Sequence, residues 1–232
     1  MFIFFDIDET LIDQRKAEAA AAERLLATYG QRLGHVYTVP EFCRKWRLLR
    51  EKHAPAFFAG VISAEEQRRR RVREMFGDCG RNLSQQEADS VFDFYERHYR
   101  ADWSLFDDVL PALRSLFGFG FGIISNGSSA QQKLKLRQTG IEHYFDVIVV
   151  AEDAGAAKPQ QEIFLAACRQ ARSPADRCVY VGDRLDHDAL PSQAIGMRSF
   201  WLDRRNTRAP APVEVIGSLA ELVPKLQTGM PA

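Results

Sequence analysis

The hydrophobic pattern along this chain changes character twice. Phe2 to Phe5 make a short, unbroken apolar run that stops at Asp6 and reads as a buried strand. From Gln14 to about Arg100 the chain is rich in Ala, Glu, Arg, Gln and Leu, with few β-branched residues. KAEAAAAERLLATYG, PEFCRKWRLLREKH, AEEQRRRRVREMFG and SQQEADSVFDFYERHYRADW are each predicted as helices. Gly30, Pro40, Gly60, Gly77 and Gly80 punctuate them, and Ser84 followed by Glu87 has the spacing of a capping box.

After Pro111 short runs rich in Val, Ile and Phe take over: LFGFGFGIIS, FDVIVVAED, RCVYVGD and RSFWLD. Each ends at polar or acidic residues, and the helical stretches SAQQKLKLRQTG, PQQEIFLAACRQAR and DALPSQAIGM separate them. This alternation predicts βαβ units, hence an α/β fold with a parallel sheet covered by helices on both faces. The opening strand has the same buried character and is expected in that sheet. The helical block then becomes an insertion: residues 1–13 and 103–232 form the core domain and residues 14–102 a second, all-helical one. PVEVIGSLAELVPKL reads as a last short strand and helix, NTRAPAP as an exposed connection, and QTGMPA as a frayed tail.

Composition narrows the function classes. A hydrophobic content of 46% excludes global disorder, and 31 basic residues balance 31 acidic ones. Whole-protein attraction to nucleic acid or to an anionic membrane is therefore not expected. The run EEQRRRR reads as a solvated helix laced with ion pairs, its other reading being contact with an anionic substrate. Trp46, Phe57, Phe58, Phe92, Phe94, Tyr95 and Tyr99 read mostly as core of the helical block, one or two of them facing a cleft. Cys43, Cys79, Cys168 and Cys178 lack metal-ligand or CxxC spacing and read as reduced thiols, two of them facing the core. MFIFF is too short for a signal peptide, and no window approaches a membrane span, so a soluble, cytoplasmic protein is expected.

In open α/β sheets ligands bind beyond the carboxyl ends of the strands. The residues there are Asp6-Ile7-Asp8-Glu9-Thr10, Ser125-Asn126-Gly127-Ser128, Lys158-Pro159 and Gly182-Asp183-Arg184-Leu185-Asp186-His187-Asp188. A lysine, a hydroxyl beside a glycine turn and two groups of carboxylates suit phosphoryl transfer with a divalent metal. Mg²⁺ held by oxygen ligands would offset the phosphoryl charge, and Lys158 would add a second positive charge. Ser125 and the N–H groups around Asn126 and Gly127 would donate to phosphate oxygens at a helix start. Asp6 would be the nucleophile, forming an aspartyl phosphate. Asp8, two residues along an extended chain and so on the same side, would protonate the leaving alkoxide and later activate water.

DIDETL, ISNGSS, AKP and VGDRLDHDA, in this order, resemble the four motifs of the haloacid dehalogenase (HAD) superfamily. A helical insertion after the first motif is similar to the C1-capped branch, which includes phosphoglycolate-phosphatase-like and 5′-nucleotidase-like enzymes. The resemblance implies a Rossmann-like core with an inserted helical C1 cap that closes over the site. It implies Asp6 as nucleophile and Mg²⁺ ligand, Asp8 as acid/base with its backbone carbonyl on the metal, and Asp183 as a further ligand. Thr10 would orient Asp8 in the turn that binds phosphate, Ser125 and the Asn126 N–H would bind phosphate, and Lys158 would hold phosphate and nucleophile. Asp188 would act through water or Lys158. Dehalogenases of the superfamily lack an acid at the position of Asp8, so its presence points to phosphoryl transfer.

Glu9 and His187 depart from the commoner residues of the pattern. Strand alternation turns Glu9 away from Asp8, His187 is a candidate for a pH-dependent contact, and Asp186 reads as solvated or capping. The expected partner is a small phosphorylated metabolite acted on by a monomer or homodimer. The rival readings are a phosphomutase of the β-phosphoglucomutase type and a non-catalytic, metal-binding regulatory module.

Overall fold

The computed structural model describes residues 1–33, 36–207 and 210–227. Part of the NTRAPAP connection and the chain from residue 228, expected as a frayed tail, lie outside the described residues. The chain divides into two compact units, one of Met1–Asp13 with Ser104–Ala232 and the other of Gln14–Trp103. No helix among the described residues is long and apolar enough to cross a membrane.

The first unit opens with strand β1 (Phe2–Phe5). The second unit follows as helices α1 (Gln14–Tyr29), α2 (Val39–Phe58), α3 (Ala64–Gly77) and α4 (Gln85–Ala101). The first unit then resumes with α5 (Val109–Ser115), β2 (Gly120–Ser125), α6 (Ser129–Gln138), β3 (Val147–Val150), α7 (Ala151–Ala154), α8 (Gln161–Gln170) and β4 (Cys178–Gly182). A π-helical turn over Leu185–Ala189 leads into α9 (Leu190–Ala194), before β5 (Arg198–Leu202), β6 (Glu214–Ile216) and α10 (Leu219–Gln227).

The six strands form one sheet in the order β3-β2-β1-β4-β5-β6, every pair parallel. The predicted α/β class and parallel sheet are found. Strand alternation divides the core between the two faces. Ile3 and Phe5 pack with Ile123, Val179, Val181 and α5 on one side; Phe4 and Tyr180 pack with Ile124, Ile163 and Phe164 of α8 on the other. The glycines of FGFG answer to this packing. A Cβ at Gly120 or Gly122 would lie 2.4 Å from the ring of Phe2 or Phe4 in the adjacent strand.

In the helical unit α1 packs on α4 and α2 on α3. Ser84 and Glu87 form the expected capping box, and Thr38 with Glu41 forms another at the start of α2. α2 runs past the predicted end and through Pro55, and α5, which contains Pro111, was not predicted at all. Trp46 stacks on Phe42 at 5.5 Å and lies 4.7 Å from Tyr95, while Tyr95 and Tyr99 are stacked at 6.0 Å. Phe57 and Phe94 are only half-buried and Phe58 is exposed. Cys43, Cys168 and Cys178 are buried and Cys79 half-buried, one more buried thiol than the two expected.

Candidate active site

Strand order reverses between β1 and β4: β2 and β3 extend the sheet on one side of β1, β5 and β6 on the other. Ligand crevices form beyond such a switch point because the flanking connections diverge there. Asp6 follows β1, its N–H still bonded to the Val181 carbonyl at 2.9 Å, and Asp183 follows β4. The two carboxylates therefore stand side by side because their strands do.

Lys158 ties the site together. Its Nζ donates to Asp6 Oδ1 at 2.7 Å, to Asp188 Oδ1 at 2.6 Å and to the Tyr180 hydroxyl at 3.0 Å. Tyr180 in turn donates to Asp188 Oδ1 and to the Ile124 carbonyl. The Lys158 backbone is fixed by Asn126, whose Oδ1 accepts from the Lys158 N–H at 2.8 Å and whose Nδ2 donates to the Lys158 carbonyl at 3.0 Å. Asn126 is thus a brace between two loops as well as a candidate phosphate donor through its own N–H.

Carboxylate oxygens of Asp6, Asp183 and Asp188 lie within 4.8 Å of one another. Burial pushes the Asp6 carboxyl up to about 6, with Lys158 pulling it down and Asp188 and Asp8 pushing it further up. Burial, then the charges of Asp188 and Asp6, holds Asp183 well above the usual carboxylate range. For Lys158, burial works against the cation, but Asp188 and Asp6 outweigh it and hold the ammonium above the ordinary lysine range. Negative charge is in excess here, and every donor atom of the cluster is a hard oxygen. That set fits Mg²⁺.

Asp8 is turned elsewhere. Its Oδ1 accepts from Lys135 Nζ at 2.5 Å and its Oδ2 from Gln132 Nε2 at 3.3 Å. Gln132 also donates to Ser125 Oγ at 2.7 Å and to the Asn126 carbonyl at 2.9 Å. Sequence reading missed Lys135, Gln132 and Tyr180. α6 begins just after the turn at Gly127, which brings Gln132 to Ser125 and Lys135 to Asp8. Asp188 joins the acidic cluster, although the sequence reading kept it off the metal. Both of its oxygens are already engaged, Oδ1 by Lys158 and Tyr180 and Oδ2 by the Arg184 N–H at 2.9 Å.

Thr10 is fully buried, and its hydroxyl has no hydrogen-bond partner among the described residues. Its carbonyl accepts from Arg204, which forms a bidentate pair with Asp108 at 2.9 Å for each bond. The turn after β1 is anchored there by its backbone, and Thr10 does not bond Asp8. Glu9 does not follow strand alternation, because β1 ends at Phe5 and Glu9 sits in the left-handed region at φ +62°. Its charge reaches Asp183 and adds to the forces raising that carboxyl. Gly127 supplies the other turn, at φ +115°. His187 lies 2.9 Å from Asp186, an exposed carboxylate that Arg184 also reaches at 3.2 Å.

Residues 1–196 match the family model described as haloacid dehalogenase-like hydrolase. The pyrimidine 5′-nucleotidase YjjG of Escherichia coli is 40% identical over 105 residues, 44% of this chain and 47% of that protein. The chain thus spans about half the length of that relative. Haloacid dehalogenase-like hydrolase domain-containing protein 3 of Danio rerio is 33% identical over 165 residues, 67% of each chain. Among solved structures, the magnesium-bound putative HAD-hydrolase YfnB of Bacillus subtilis superposes with a TM-score of 0.80 over 97% of this chain and 98% of that one. At 24% identity that likeness is one of fold.

Proposed function

Because the chain belongs to the haloacid dehalogenase-like hydrolase family, we propose that it is a Mg²⁺-dependent phosphatase of a small phosphorylated metabolite, working through an aspartyl phosphate. The observation that carries this reading is Lys158, held between Asp6 and Asp188 at 2.7 and 2.6 Å beside Asp183. A buried cation braced against a nucleophile and an acidic cluster serves an anionic substrate better than a neutral one. The phosphatase and nucleotidase names of related proteins support the same class.

Asp6, Asp183 and the backbone carbonyl of Asp8 would hold Mg²⁺. Bound there, the ion would supply the positive charge that lets an anionic carboxylate approach an anionic phosphoryl group. Asp6 attacks phosphorus while the bond to the leaving oxygen breaks, and Asp8 gives its proton to that oxygen. Asp8 then takes a proton from water as the water attacks the aspartyl phosphate, which releases phosphate and restores Asp6. Lys158 keeps Asp6 aligned and offsets charge on the transferred group. Ser125 and the N–H groups of Asn126 and Gly127 orient its oxygens. Asp8 also argues against dehalogenation, which needs no acid for a halide leaving group. The helical unit is where we place selection of the leaving group, and the four free cysteines suit a cytoplasmic setting.

Phosphate release from a panel of small phosphate esters tests the proposal, with Mg²⁺ and with chelator, for wild type and Asp6→Asn. Metal-dependent release lost in Asp6→Asn is the expected result. Release that survives Asp6→Asn would sink the covalent mechanism.

A further inference from the structure

The arginine run of α3 divides by direction. Arg69 forms a bidentate pair with Asp89 at 2.7 and 2.9 Å, Arg70 bonds Glu66 at 2.9 Å, and Arg68 lies 3.5 Å from Glu96. Arg71 turns inward and is only 8% exposed. Its guanidinium lies 4.1 Å from the Trp46 ring centroid and 5.7 Å from that of Phe92. None of its N–H groups has an acceptor among the described residues, and Nε is fully enclosed.

A buried guanidinium without an acceptor is costly, since its hydration is removed without replacement. Cation–π contact offsets only part of that. The carboxylate that acts on Arg71, Glu18, is already taken: it accepts from Arg47 at 2.9 Å and from Arg50 at 3.1 Å. Two guanidinium groups and the Gln14 amide thus bond this one carboxylate. Burial, reinforced by the Arg50 charge, lowers Arg71 to about 10, which leaves it cationic at neutral pH. Trp46 Nε1 is a second enclosed donor without an acceptor among the described residues. Around Arg71, then, unsatisfied donors and positive charge are in surplus, and Glu18 and the hydroxyls of Tyr95 and Tyr99 act on it without bonding it. The chemistry that completes such a site is an oxyanion, whose paired oxygens match the guanidinium fork.

We propose that Arg71, on its Trp46 and Phe92 platform, is an oxyanion-binding site that takes a carboxylate or phosphate group of a small molecule. The site lies wholly within the helical unit. The oxyanion belongs either to the ester being cleaved or to a separate small ligand.

The test is a calorimetric titration of the full chain with malonate, in chelator, against the uncharged analogue malonamide. Wild type, Arg71→Met, Arg71→Lys and Asp6→Asn are compared. Saturable malonate binding is expected in wild type and Asp6→Asn, at least about tenfold weaker in Arg71→Met, intermediate in Arg71→Lys, and absent for malonamide. Malonate and malonamide binding alike, no malonate binding by wild type, or binding lost in Asp6→Asn but kept in Arg71→Met would each overturn the proposal. Should Arg71→Met fail to fold, the malonate–malonamide contrast in wild type and the Arg71→Lys titration still decide it.

Hydrolysis of phosphoglycolate and of ethyl phosphate separates the two sources. A KM raised at least about tenfold by Arg71→Lys for phosphoglycolate alone assigns the oxyanion to the ester. Unchanged KM values for both esters, beside weakened malonate binding, assign it to a free carboxylate.

Discussion

Lys135 Nζ stands 2.5 Å from Asp8 Oδ1, across 127 positions of sequence, and Lys135 is almost wholly enclosed. A buried ammonium at that distance fixes where the Asp8 carboxyl points. Lys135→Met should therefore lower kcat about tenfold to a hundredfold with little change in KM, since proton transfer by a placed carboxyl contributes about that much or more. Lys135→Arg should recover part of the loss. A fall in KM-determined binding with kcat intact would remove Lys135 from the proton-handling machinery.

Gly182 ends β4 where Asp188 folds back against it. A Cβ there would lie 2.5 Å from the Asp188 Cβ and Cγ. Gly182→Ala should cost about 1–3 kcal/mol of stability, the usual range for forced overpacking. It should also weaken Mg²⁺ binding, because Asp188 is held against Lys158. Denaturant melts and a Mg²⁺ titration would read both effects, and a variant as stable as wild type would refute the clash.

Asp183 is raised well above the usual carboxylate range by burial and by its acidic neighbours. An acid raised on folding makes the folded state less stable as pH climbs past the unfolded value. At neutral pH, without metal, Asp183→Asn should accordingly melt higher than wild type, by about 2–5 °C. Added Mg²⁺ should reverse the order, stabilising wild type but not the variant. Melting curves with and without chelator check this, and a variant that gained as much from Mg²⁺ as wild type would contradict the ligand assignment.

Asp108 behaves in the opposite sense. Burial opposes its charge, yet bonds from Arg204, Ser218 and the Leu219 N–H outweigh burial and hold the carboxyl below its usual range. Its contribution is present above the unfolded carboxylate value and is lost as pH falls through the lower, folded one. Asp108→Asn should cost about 1–3 kcal/mol at neutral pH, shrinking towards zero in acid. Urea melts from pH 7 downwards test this, and a penalty that persists in strong acid would point to packing instead.

The strand ends were legible because chemistry interrupts an apolar run there. FIFF stops at Asp6 and CVYVG at Asp183, and carboxylates in such places have no packing role. Strand order then joined what sequence could only enumerate. Lys135 and Gln132 stayed hidden because SAQQKLKLRQ has little apolar periodicity, so nothing marked its inner face. Tyr180 looked like any core aromatic until its hydroxyl was found on Lys158 and Asp188. α5 was missed because Pro111 was read as a break, yet it sits in the first turn, where its missing N–H is no loss. Glu9 was misdirected because a two-residue period holds only while the strand lasts.

The position of β1 governs when this protein can become itself during synthesis. Its partners are Gly120–Ile123 on one edge and Cys178–Val181 on the other. The helical unit is complete within Gln14–Trp103 and is free to organise first. β1 must wait, an apolar ribbon with both edges bare, until nearly all of the βα units have left the ribosome. The Asp6 side chain, made before the helical unit, meets Asp183 only once β4 has followed, so a chain that stops short of β4 carries no assembled acidic cluster.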